Sequence, residues 1–228
     1  MSSNKVFKSC IDKENWLLTI SLSDYIKTIL ELLDSIYPNA TTELRFTNPY
    51  TFLIAVLLSA QATDKSVNKA TVELFKIADN PKAMLNLGVG KLLQYIKNIG
   101  LHNTKAKHII ELSRILIDKY QSQVPLERDV LETLPGIGRK SANVIVNKLC
   151  NAPYIAVDTH VMRLSHRLGF VSNKAKTPIE VENELYKNTP SNFHLKVSDL
   201  LVLHGRYVCK SAKPKCRTCP LHDYCRMT

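Results

Sequence analysis

Apolar residues recur at helical spacing through most of the chain, and the two-residue alternation of half-buried strands hardly appears. In "SLSDYIKTILELLDSIYP", Leu22, Ile26, Ile29, Leu33 and Ile36 fall on one face, with Ser23 as the N-cap candidate and Pro38 as the stop. "NPYTFLIAVLLSA" opens with Asn48 as cap and Pro49 at the first helical position. The same Asn-Pro pair opens "NPKAMLNLG", which Gly88 closes. "GKLLQYIKNIG" ends at Gly100, and Asn103 is placed to cap the long segment "KAKHIIELSRILIDKY". In "TPIE", Thr177 and Glu180 form a capping box with a proline inside. "SNFHLKVSDLLVLHG" supplies a last long helix ended by Gly205. The pattern predicts an all-α protein of about ten short helices with tight connections. No fixed-period repeat interrupts it, and residues 1–20, with weak periodicity, read as a loosely attached extension.

Charge changes the picture. Among 228 residues, 31 lysines and arginines face 20 acids, a net charge of +11 that favours a polyanionic partner. The most apolar run, "FLIAVLLSA" at 52–60, is about half the roughly 20 residues that span a bilayer, so it predicts a buried helix. The first residues carry Asp12 and Glu14 and no signal-peptide core. A cytoplasmic protein without a membrane segment is expected.

Six cysteines in such a protein point to metal or catalysis before disulfides. Cys10 and Cys150 stand apart as plain thiols, Cys150 closing an apolar helix face. Cys209, Cys216, Cys219 and Cys225 form C-x6-C-x2-C-x5-C, and four thiolates so close can converge on zinc or on an iron–sulfur cubane. Left unligated and exposed, they would be an oxidation liability. Zinc ribbons usually present two C-x2-C knuckles and this segment has one, yet it matches neither common ferredoxin spacing. Spacing alone therefore stops at a four-thiolate metal site. Around it stand Arg206, Lys210, Lys213, Lys215, Arg217 and Arg226 against one acid, Asp223. A metal that pins the loop "KSAKPK" makes a rigid element for gripping phosphates.

A second basic corner lies in "LPGIGRKSANVIV". An amphipathic stretch ends at Leu134, Pro135 prevents its continuation, and Gly136 and Gly138 permit a sharp reversal. A helix then runs from about Arg139 to Leu149, with Val144, Ile145 and Leu149 inward, and its N-terminal N–H groups are suited to an anion. The motif is not G-x-G-x-x-G, since Ser141 replaces the third glycine, and it is not a P-loop. It reads as a helix–hairpin–helix that holds a DNA backbone. Lys140 has two readings. It is one more phosphate contact beside Arg139, or it is a nucleophilic amine, because the helix dipole and Arg139 disfavour its ammonium form. Asp158, in "AVDTH", is an N-cap acid or the carboxylate partner of that amine, and spacing alone does not bring the two together.

"LLSAQATD", "IGLHNTKA", "LPGIGRKSANVI", "AVDTHV", "LHGRYVC" and the cysteine spacing occur in an order that resembles the endonuclease III family of DNA glycosylase/AP lyases, over residues 21–228. The resemblance implies two all-α domains flanking a DNA-binding cleft. One is a six-helix domain at 42–152, with the helix–hairpin–helix at about 127–149. The other is a helical cluster domain made of 21–41 and 153–228. Residues 1–20 form an N-terminal extension without counterpart. It further implies a [4Fe–4S] cluster on the four cysteines, Lys140 as nucleophile and Asp158 as its essential carboxylate. The substrate class is duplex DNA carrying damaged pyrimidines or abasic sites, bound by a monomer associated with the nucleoid. Gln61 and Leu101 match residues that wedge into the gap left by a flipped nucleotide. Gly136, Gly138, Arg139, Lys210, Lys213 and Lys215 are the expected backbone contacts. Ser141 stands where threonine is frequent, and His102 where tyrosine often follows the wedge leucine. The rivals are a monofunctional, mismatch-specific glycosylase of the same superfamily and a non-catalytic DNA-binding protein. Lys140 and the end at Thr228 oppose the first, and retention of both Lys140 and Asp158 opposes the second.

Overall fold

Local capping signals account for most helix starts. In the computed structural model, residues 20–225 and 227 are described, so most of the predicted extension and Arg226 lie outside the described residues. The α-helices are α1 Leu22–Ile36, α2 Pro49–Ser59, α3 Asp64–Ile77, α4 Pro81–Ile96, α5 His102–Tyr120, α6 Arg128–Leu131, α7 Arg139–Cys150, α8 Thr159–Arg167, α9 Pro178–Asn188 and α10 Val197–Tyr207. No strand occurs among the described residues, and none of their helices is long and apolar enough to cross a membrane. The expected all-α class holds.

The chain divides into two compact units. Thr42–Ala156 forms one, and the described parts of Met1–Thr41 and Val157–Thr228 form the other. In the first, α2 is buried from Tyr50 to Leu58 and carries apolar residues on all sides, the mark of a central helix. It packs against α3, α5 and α7, while α4 lies on α5. Its start is held by a reciprocal cap: the Asn48 side chain accepts from Thr51 N at 2.9 Å, and Thr51 Oγ1 accepts from Asn48 N at 3.0 Å. In the second unit, α8 packs on α10 and α9, and α1 packs on α9 and α10. The buried Tyr25 hydroxyl of α1 lies 2.6 Å from Tyr224 O and 2.9 Å from Leu168 O, which ties the last turn of the chain to this helix.

Several boundaries differ from the expectations. Ser21, not Ser23, caps α1, accepting from Asp24 N at 3.1 Å, because the helix begins at Leu22, two residues before the start a Ser23 cap would set. Leu22 and Ile36 sit at the edges of its apolar face, 39% and 38% exposed, and Tyr25 and Leu30 fill the face instead. Gly88 does break the helix, at φ 74°, so α4 is two segments joined at a kink. Asn103 does not cap α5: the N-cap is Leu101, at φ 59°, with no side-chain cap bond. Gly205 does not end α10, which runs on to Tyr207. It is instead the point of close approach to α8, where a Cβ would come within 3.0 Å of His160 Cβ. In α7 the inward residues are Ala142, Asn143, Ile145 and Val146, leaving Val144 and Leu149 half-buried and Cys150 exposed.

Candidate functional site

In the hairpin the apolar side chains hold and the backbone is left outside. Leu134 and Ile137 are buried on either side of the turn, with Ile137 N donating to Leu134 O at 3.1 Å. Gly136 lies between them at φ 79°, and a Cβ there would stand 2.8 Å from His108 Nδ1 and 3.1 Å from Leu57 Cδ1. Only glycine satisfies both limits. Gly138 needs no such freedom: at φ −102° it is the N-cap of α7, and because it has no side chain, no side-chain cap covers the first N–H groups of that helix. Gly136, Gly138 and Lys140 are exposed and Arg139 is half-buried, so a helix N-terminus flanked by two cations faces outward. The next two turns of α7 grip the following segment, with Asn143 Nδ2 donating to Ile155 O and Asn147 Nδ2 to Tyr154 O, both at 3.0 Å.

Gln61 and Leu101 lie on adjacent loops of the same unit. A Cβ added at Gly100 would be 3.5 Å from Gln61 O, an ordinary contact distance. Both residues are left-handed, at φ 54° and φ 59°, and Leu101 is 59% exposed. For residues other than glycine that conformation costs about 1 to 2 kcal/mol each. Between the loops lies a residue that sequence reading passed over. Lys105, 4% exposed, sends Nζ to Leu58 O at 2.9 Å and Ala60 O at 2.5 Å. The signal for it was present: Lys105 shares the buried stripe of Ile109, Leu112 and Leu116, where an apolar residue is the rule. Burial lowers the pKa of its ammonium.

In the other unit, Asp158 is the N-cap of α8. One carboxylate oxygen accepts from His160 N and Val161 N, each at 2.8 Å, which fixes the side chain at the helix start. Lys140 and Asp158 thus sit at the first turns of two helices, α7 in Thr42–Ala156 and α8 in the other unit. From its later turns α8 sends two arginines to the cysteine segment. Arg163 Nη2 donates to Gly205 O and Cys209 O, each at 3.0 Å. Arg167 Nη1 reaches Cys209 Sγ at 3.3 Å and Lys210 O at 2.8 Å, and its Nη2 reaches Ser211 O at 3.0 Å.

The four cysteines, seventeen residues from first to last, line one pocket together with Lys215 and His222. Burial pushes the Cys219 and Cys225 thiols up, and the neighbouring cysteines push them further. Gathering four thiolates there requires a compensating cation. Yet no group of three or more His, Cys, Asp or Glu among the described residues is placed to hold a single metal ion. His204, buried beneath, stands 3.4 Å from Cys219 Sγ through Nε2 and 3.4 Å from the Tyr37 hydroxyl through Nδ1. Burial drops its pKa to about 4. Lys210, Lys213 and Lys215 are exposed on the loop between the first two cysteines.

Residues 54–191 match the HhH-GPD superfamily of base excision DNA repair proteins. The chain is 48% identical to the endonuclease III of Haemophilus influenzae (strain ATCC 51907 / DSM 11121 / KW20 / Rd), over 86% of this chain and 92% of that one. Over the same shares it is 49% identical to the endonuclease III of Escherichia coli (strain K12). Among solved structures it resembles an endonuclease III trapped as a covalent intermediate with DNA, at TM-score 0.84 and 42% identity over 91% of this chain and 97% of the other. A non-covalent endonuclease III–DNA complex matches at TM-score 0.85, with 42% identity over 91% of this chain and 96% of the other. With its exposed helix–hairpin–helix backbone and four gathered cysteines, the chain belongs to the endonuclease III family of HhH-GPD base excision repair proteins.

Proposed function

We propose that this protein removes damaged pyrimidines from duplex DNA through a Schiff base on Lys140 and then cuts the strand by β-elimination. The observation that carries the reading is Lys140 itself. It stands exposed on the first turn of α7, behind an uncapped hairpin, in a chain 42% identical to an endonuclease III captured covalently on DNA.

The chemistry follows from an amine at that position. The lone pair of the neutral Lys140 Nζ forms a bond to C1′ of a nucleotide turned out of the stack, and the glycosidic bond breaks. The base leaves with the electron pair of the broken glycosidic bond and gains a proton, while the nitrogen gives one up. The nitrogen lone pair then opens the sugar ring: O4′ departs with the C1′–O4′ electron pair and gains a proton, which leaves a protonated imine between Nζ and C1′. The imine acidifies the C2′ proton, whose loss expels the 3′ phosphate oxygen with its electron pair. Water then hydrolyses the imine and frees Lys140. Asp158 is the carboxylate that stabilises the cationic sugar and takes up the proton. Its hold on the first turn of α8 keeps it in one orientation.

Gly136, Gly138 and Arg139 serve as backbone contacts, as do Lys210, Lys213 and Lys215 on the cysteine loop. Gln61 and Leu101 fill the place of the extruded nucleotide. Cys209, Cys216, Cys219 and Cys225 would hold a [4Fe–4S] cluster, which supplies a rigid support for that loop. Four sulfurs lining one pocket are a donor set that fits such a cluster. In this reading residues 42–152 form the hairpin domain, and 21–41 with 153–228 form the cluster domain. Such a substrate places the protein in the cytoplasm, on the nucleoid.

Borohydride added during reaction with oxidised-pyrimidine duplex DNA tests the reading. A covalent adduct is expected from the wild-type protein and none from Lys140→Ala. No adduct from the wild type overturns it.

A further inference from the structure

Helix α2 ends without the usual devices. Its C-cap is Ala60 at φ −57°, no basic residue lies in its last turn, and no glycine follows it. The last carbonyls of a helix have no partners within it and must be met from elsewhere. Here Leu58 O and Ala60 O are met by Lys105 Nζ, from a helix 47 residues further along the chain in the first case. The residue directly after this clamp is Gln61, in its left-handed conformation.

The same lysine also closes the other loop. Its main-chain N–H donates to Leu101 O at 3.0 Å, the first hydrogen bond of α5, directly after the left-handed Leu101. Any residue at 105 would make that main-chain bond; the ammonium links this first turn of α5, directly after Leu101, to the end of α2, directly before Gln61. A buried lysine whose ammonium is met by two main-chain carbonyls is a costly choice where methionine or leucine would fill the same space. Meeting these carbonyls stabilises the end of α2, and the cost of burying the ammonium offsets part of that gain. What the ammonium adds is direction: donors aimed at two carbonyls fix where the chain leaves α2 and enters Gln61.

From this geometry we infer that Lys105 is a positioning residue, which holds Gln61 and Leu101 in one preset arrangement so that both enter the DNA stack together when a nucleotide is extruded. The inference rests on the wedge roles proposed above. Preorganisation of this kind removes from the insertion step, which follows docking on the phosphates, the cost of ordering two strained loops. It also accounts for two left-handed residues without glycine on neighbouring loops: the surroundings hold them there before DNA arrives.

The test uses Lys105→Met, which keeps the aliphatic stem and removes the donors. The DNA is a duplex with an uncleavable abasic analogue and 2-aminopurine opposite it, whose fluorescence rises when its stack is opened. Binding is followed separately by anisotropy. The variant is expected to bind with nearly wild-type affinity, since phosphate contacts are untouched, while the inserted population read by fluorescence falls on the order of tenfold. A wild-type fluorescence rise in the variant overturns the inference. So does a parallel loss of binding and fluorescence, which marks a general structural role. Absence of any rise with the wild-type protein overturns the wedge assignment and this inference with it. The borohydride adduct reports the Lys140 chemistry independently of all these outcomes.

Discussion

Arg167 Nη1 lies 3.3 Å from Cys209 Sγ, and the same guanidinium holds Lys210 O and Ser211 O. The side chain that faces the first cysteine sulfur therefore also fixes the start of the loop carrying Lys210, Lys213 and Lys215. A hydrogen bond from a charged donor to a thiolate is worth about 1.5 to 3 kcal/mol. With the proposed cluster on the four cysteines, Arg167→Met is expected to lose its iron faster under a chelator than the wild type does, read from the decay of visible absorbance. Equal decay rates would show that this arginine does not support the metal site.

The two hairpin glycines should respond differently to the same substitution. Gly136→Ala meets His108 Nδ1 at 2.8 Å and a left-handed backbone, and is expected to lower stability by about 2 kcal/mol or more. Gly138→Ala has nothing within 4 Å of the new Cβ and no positive φ. It should lose no more than about 1 kcal/mol, the cost of alanine at an N-cap, yet bind DNA more weakly, because in the proposed role a methyl group stands where a phosphate approaches the N–H groups. Thermal melts and anisotropy titrations of both variants decide the matter.

Asp158 carries a cap as well as a charge, and two substitutions separate them. Asparagine caps a helix about as well as aspartate, whereas alanine gives up about 1 kcal/mol. Asp158→Asn should keep the wild-type melting temperature and lose glycosylase activity. Asp158→Ala should lose both. If the Asn variant retained full base-excision activity, the carboxylate would be a cap and nothing more.

For the basic loop, the salt dependence of binding is the diagnostic. Every phosphate that a cation neutralises adds about 0.9 to the slope of log affinity against log salt. Replacing Lys210, Lys213 and Lys215 together by alanine should flatten that slope by up to about 2.7 units on the same relation. An unchanged slope would place the loop away from the DNA.

The features legible in the chain are the ones built from neighbours. Asn48 with Pro49, Asn80 with Pro81, and Thr177 with Glu180 each complete a cap within three residues, so the sequence by itself determined where these helices begin. The hairpin is equally local, since proline and glycine act on their own backbone. Where the local signal was ambiguous, tertiary contacts decided. Asn103 is a good cap by type, but α5 starts earlier, at His102, and its first turn is held from a distance by the Lys105 ammonium on Leu58 O and Ala60 O. Gly205 looks like a terminator, yet it serves the approach of α10 to His160 on α8. Lys105 looks like one more surface cation until Leu58 O and Ala60 O arrive from 47 and 45 residues away. Arg167 and His204 likewise meet Cys209 and Cys219 only once the chain has turned back on itself. Caps and turns are set by dihedral preferences and bonds across three or four residues, which any short window of sequence contains. The clamp on α2 and the contacts around the cysteine sulfurs depend on packing between distant helices, which only the folded chain brings within bonding distance.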